Sequence, residues 1–100
     1  MRHRLDEEAA KQLLALPQAV RRHVYNEIFR LANDPAGLSR PASFPHPLEG
    51  QLFDTRCIVG NTVHFITIMF RRSACEEFID IAWIMHRSKP DENLAIDDEE

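Results

Sequence analysis

LFDTRCIVGNTVHFITIMFRRSACEEFIDIAWIMHR, residues 52–87, is dense in β-branched and aromatic side chains and is broken twice, at Gly60-Asn61 and at Arg71-Arg72-Ser73-Ala74. Such a pattern predicts three consecutive strands of one antiparallel sheet. Four basic or imidazole side chains, Arg56, His64, His86 and Arg87, stand inside those strands, so one face of the sheet is either wet or functional. The third strand, about 77–86, is apolar on both faces, with Phe78, Ala82 and Ile84 on one and Ile79, Ile81, Trp83 and Met85 on the other. A strand of that kind is expected at the centre of its sheet.

The loop at Gly60-Asn61 fixes which side chains share a face. A two-residue turn pairs Val59 with Thr62, sets Arg56 opposite Phe65 and His64 opposite Cys57, and turns Arg56 and His64 to opposite sides. A three-residue loop, with Gly60 or Asn61 in the left-handed region, instead groups Arg56 and His64 with Asp54, Ile66 and Ile68 and turns Thr55, Cys57, Val63 and Phe65 inward. The odd-length loop sorts charge from apolar residues better and is the expectation, with Ile66 and Ile68 its awkward members.

Upstream the spacing becomes helical. Leu5, Ala9, Ala10, Leu13 and Leu14 form a stripe, and Asp6, Glu7 and Glu8 crowd a first turn where the helix dipole favours negative charge. Pro17 interrupts the stripe and suits the first turn of a second helix, about 17–32, which lines up Val20, Val24, Ile28 and Leu31 and stops at Asn33-Asp34-Pro35. An αα-hairpin of this kind must bury its stripe, and the sheet is the available partner. Residues 1–4 are too short to read as a strand. Residues 34–50 hold Pro35, Pro41, Pro45, Pro47, Gly37 and Gly50, and read as an ordered surface loop containing His46. The fold class is α+β: an N-terminal αα-hairpin packed on one face of a small antiparallel meander.

One hundred residues make a single domain. Residues 1–88 carry eleven Lys/Arg against ten Asp/Glu, whereas 89–100 carry one lysine against six acids. A near-neutral body, 1–88, therefore precedes an acidic tail, 89–100, with too little apolar surface to pack by itself. Cys57 and Cys75, without a secretory signal, point to free thiols in a reducing cytoplasmic setting. The apolar runs fall far short of the roughly 20 residues that cross a bilayer, so no membrane association is expected.

Five histidines and two cysteines lack the short paired spacings of a zinc site. Neither a glycine-rich phosphate loop nor a Ser/His/Asp motif is present, so neither metal nor cofactor is expected. One chemistry does fit the strand residues. Cleaving RNA with its own 2′-hydroxyl requires a base, a cation for the phosphorane charge and an acid for the leaving oxygen, and no metal. His64 or His86 can exchange a proton near neutral pH, while Arg56 and Arg87 can only stabilise charge. Convergence of Arg56, His64 and Arg87 would suffice for a slow ribonuclease, with Arg71, Arg72 and His86 as further RNA contacts. The competing reading makes His64 a half-buried strand residue and the arginines solubilising charges.

The order of features, carried by LLALPQAVRRHVYNEIFRLANDP, LFDTRCIVGNTVHFI and IDIAWIMHR, resembles the RelE/ParE superfamily of bacterial toxins from type II toxin–antitoxin modules. That resemblance implies two helices on one face of a small antiparallel sheet whose other face cleaves messenger RNA in the ribosome. It implies roles for Arg56 as a first-strand cation, His64 at the second-strand position and Arg87 at the close of the third. The chain differs from the family pattern at Asp54, where a basic residue is common, in the absence of a tyrosine soon after Arg87, and in an N-terminal strand reduced at most to 1–5. Two activities follow from the resemblance: a RelE-like endoribonuclease acting on ribosome-bound messenger, or a ParE-like toxin that docks on a protein such as DNA gyrase without cutting RNA. Both imply a cognate antitoxin as partner, and neither fixes whether the chain forms a homodimer.

Overall fold

The computed structural model describes residues 2–41, 50–72 and 78–91. His46 and the rest of 42–49, Cys75 within 73–77, and the tail from 92 onward lie outside the described residues. In chain order the elements are β1 (Arg2–Leu5), α1 (Glu7–Leu14), α2 (Gln18–Asn33), α3 (Pro35–Leu38), β2 (Arg40–Pro41), β3 (Gln51–Val59), β4 (Thr62–Arg72) and β5 (Phe78–Pro90). They form a mixed α+β fold around one sheet of order β1-β5-β4-β3-β2. The β5–β4, β4–β3 and β3–β2 neighbours are antiparallel, and β1 lies parallel to β5.

Two expectations about the chain's ends of regularity are corrected here. Residues 2–5 are a strand after all, because pairing with the apolar β5 supplies the ladder that so short a segment cannot build alone. The 34–50 segment begins with a helical turn, α3: Asp34 Oδ1 accepts from the Gly37 N–H at 3.1 Å and Pro35 occupies the first turn, an arrangement that proline favours because it has no N–H to leave unpaired. Beyond it, Arg40 and Pro41 pair with Leu52 and Gln51.

The register of β3 on β4 overturns the odd-length loop. Val59 pairs with Thr62 across the two-residue turn Gly60-Asn61, and Gly60 takes a φ of 61°, a region open to glycine at little cost. Arg56 thus faces Phe65, and Cys57 faces His64. The physical reason lies in Ile66 and Ile68. In this register both enter the core at 0–1% exposure, and burying each isoleucine stabilises by roughly 1.5–3 kcal/mol, more than is gained by sorting one imidazole to the outside.

The core joins Ala9 and Leu13 of α1, Val20, Val24, Ile28 and Leu31 of α2, and Phe53, Ile66, Ile68, Phe70, Ile79, Ile81 and Ile84 of the sheet. Leu14, expected in the stripe, is exposed. β5 is an interior strand between β1 and β4, next to the middle strand β4 rather than at the centre itself, and it is not apolar on two faces in the expected way. Met69 pairs with Trp83 while Phe70 pairs with Ile81, so Ala82 is an extra residue that shifts the alternation. The bulge lets Ile79, Ile81 and Ile84 all reach the helices and sends Trp83 and Met85 to the other side.

β1 stops at the Leu5–Ile81 pair, which leaves the Ile84 N–H without a strand partner. Gln12 of α1 supplies the acceptor, its Oε1 lying 2.6 Å from that nitrogen. Gln12→Ala is expected to cost about 1–3 kcal/mol, the penalty for orphaning a buried donor, read as a lower urea midpoint, whereas Gln12→Glu retains the acceptor and costs less. β5 itself runs to Pro90, and the Asp91 N–H donates to the Asn61 carbonyl at 2.7 Å. Lys89 and Pro90 therefore belong to the folded body, which corrects the boundary drawn after residue 88.

Candidate functional site

The sheet has one face against the helices and one uncovered by them. The uncovered face can be read as rows across β3, β4 and β5: Asp54, Thr67 and Met85, then Arg56, Phe65 and Arg87, then Ile58, Val63 and Lys89. Arg56 and Arg87 flank Phe65 two strand spacings apart, about 10 Å. The Arg87 guanidinium carbon sits 5.1 Å and the Lys89 Nζ 5.5 Å from the Phe65 ring centroid. Both lie within cation–π range, so the ring holds two cations near each other that would otherwise repel. Thr67 donates to Asp54 Oδ1 at 2.7 Å. Between the first and second of these rows runs an open groove of about 490 Å³ lined by Asp54, Thr55, Phe65, Ile66, Thr67, Met85, His86 and Arg87.

His64 is not part of this group. The two-residue turn sends it to the helix side, where it is 8% exposed and its Nδ1 lies 2.9 Å from His86 Nε2, the two rings stacked within 13°. His64 and His86 thus meet each other, and the expected meeting of His64 with Arg56 and Arg87 does not occur. A hydrogen bond between two ring nitrogens needs one of them unprotonated, so the pair tolerates at most one full imidazolium in this geometry. Burial, and then the neighbouring His64, push the His86 pKa below its ordinary value.

The sign of the pH effect follows from that direction. Below a pH of about 6.5 the unfolded chain binds a proton that folded His86 resists, so stability falls as pH drops through that value and levels off below the depressed folded pKa of His86. Urea midpoints measured between about pH 5 and 8 should show this decline in the parent chain and a shallower one in His86→Gln. Cys57, opposite His64, is also raised in pKa by burial, the wrong direction for a thiolate nucleophile.

The remaining expected contacts scatter. Arg71 faces Asp80, and Asp80 already accepts from Arg4 Nε at 2.8 Å, an ion pair that holds the Arg4 guanidinium firmly protonated. Arg71 is six residues from Phe65 along β4, about 20 Å away. Arg72 pairs with Ile79, which puts it on the opposite side from Arg71. Phe65, Thr67 and Lys89 were missed as site members; a two-residue reading of Gly60-Asn61 would have found the first two, and carrying the third strand past 86 would have found Lys89. Among the described residues, no cluster of three or more His, Cys, Asp or Glu could hold a metal ion, and no helix is long and apolar enough to cross a membrane. Compared with protein-family models, with curated proteins and with solved structures, the chain finds no match. The functional reading therefore stands on the geometry of this face.

Proposed function

We propose that the chain is a RelE/ParE-type toxin that grips single-stranded messenger RNA on the uncovered face of its sheet and thereby inhibits translation. The observation that carries this reading is the trio of cations, Arg56, Arg87 and Lys89, gathered around Phe65 on a face free of the helices. Guanidinium groups on separate strands suit phosphate oxygens, and their charge would stabilise a phosphorane formed by attack of the RNA's own 2′-hydroxyl, whose proton would pass to water while the departing 5′ oxygen takes one from water. His64 and His86 lie on the other side, so among the described residues the face contributes positioning and charge and no imidazole to act as base or acid.

That placement of His64 favours a second reading within the same toxin class, a non-nucleolytic one in which the face docks on its target without cutting, for example on DNA gyrase. In either case a cognate antitoxin would neutralise the cationic face with an acidic segment, and the setting would be the bacterial cytoplasm. Purified chain added to a translation reaction, with messenger 5′ ends mapped, tests the first reading. New ends absent without the protein support cleavage. Stalled translation with intact messenger supports a grip without cleavage, and unimpaired translation together with inhibited supercoiling selects the gyrase-type reading.

A further inference from the structure

On the uncovered face β5 changes character along its length. Trp83 and Met85 precede Arg87 and Lys89 at alternate positions, all four on one side of the strand. Trp83, the only tryptophan of the chain, is 42% exposed and Met85 is also exposed. The β1 ladder ends at Ile81, so among the described residues no strand flanks Trp83 on that side of β5. From Trp83 to Arg87 is four residues, about 13 Å, and the groove lined by Phe65, Met85 and Arg87 lies at the Arg87 end, with Met85 standing between it and Trp83 along the strand.

We infer that Trp83, with Met85, is the base-stacking platform of a single-stranded RNA track whose phosphate-binding end is Arg56, Arg87 and Lys89. The inference rests on the RNA-gripping reading above and adds to it the residue that would hold the bases. Single strands present bases and phosphates in alternation, and proteins that bind them pair a cationic groove with aromatic side chains on which bases stack. Phe65 already has two cations over its ring, which leaves Trp83, among the described residues, as the exposed aromatic on this face. A protein partner would also cover an apolar row. RNA is the better match because Arg87 and Lys89 stand over the Phe65 ring with Arg56 opposite it on β3, while Asp54 accepts from Thr67.

The test titrates the whole chain with a labelled oligouridylate of about ten nucleotides, following probe anisotropy and Trp83 fluorescence together. The expected result is quenching of Trp83 with the same midpoint as the anisotropy change. Trp83→Ala should weaken binding roughly tenfold or more, and Trp83→Phe, which keeps a stacking ring, should stay within about threefold. Salt-sensitive binding with unquenched Trp83 and unchanged Trp83→Ala affinity overturns the platform while leaving the phosphate grip intact. No binding overturns both. A concentration-dependent blue shift of Trp83 without RNA assigns the row to contact between copies of the chain and also overturns the platform.

Discussion

Arg87→Ala is expected to lower the affinity of the chain for single-stranded RNA roughly 10- to 100-fold, and translation inhibition should fall with it. A charge-assisted contact to phosphate contributes about 1.5–3 kcal/mol, and Arg87 stands opposite Phe65 with its guanidinium over the ring, so little side-chain freedom is lost when a phosphate arrives. Arg87→Lys should recover only part of the loss, because an ammonium cannot present two parallel donors. Arg56→Ala, across Phe65 on β3, should have a similar effect, and the double variant should abolish inhibition. His64→Gln should leave RNA affinity unchanged, since its ring lies on the helix side against His86. Filter binding or anisotropy at fixed salt measures all five variants.

The largest effect on stability is expected from Phe70→Ala. Phe70 is 1% exposed, lies immediately after the bulge and contributes to the core shared with the helices. Removing its ring should cost about 3–5 kcal/mol through lost burial and a residual cavity, a large fraction of the roughly 5–15 kcal/mol that holds a small domain folded. Equilibrium urea unfolding should show a sharply lower midpoint, or a chain unfolded at the start of the titration. Phe70→Leu, which fills part of the space, should cost clearly less.

Much of the architecture was legible because it follows from local rules. Val20, Val24, Ile28 and Leu31 recur at helical spacing and are all buried, and the two breaks in 52–87 separate β3, β4 and β5. What escaped depends on longer-range pairing. β1 needs β5 to exist as a strand, and nothing within residues 2–5 announces that partner. The bulge at Ala82 leaves no sequence mark, although it decides that Ile84 and Ile81 both face inward. The turn at Gly60-Asn61 was readable in principle, since these two residues suit a tight hairpin. Giving charge sorting more weight than the burial of Ile66 and Ile68 led to the wrong register. Arg56 and Arg87 were rightly placed on one uncovered face, whereas the cost of the misread turn fell on His64, Phe65 and Val63. α3 also carried a local signal, Asp34 ahead of Pro35, a side-chain cap followed by a proline in the first turn.

The central claim, that cations from separate strands act together on one RNA, is tested most directly by the salt dependence of binding. The slope of log affinity against log salt for a single-stranded oligonucleotide should be about −2 for the parent chain, the value for three phosphates neutralised by Arg56, Arg87 and Lys89, and should shrink by about 0.7 in each of Arg56→Ala and Arg87→Ala. A slope near zero in the parent chain, or one that neither substitution changes, would contradict it.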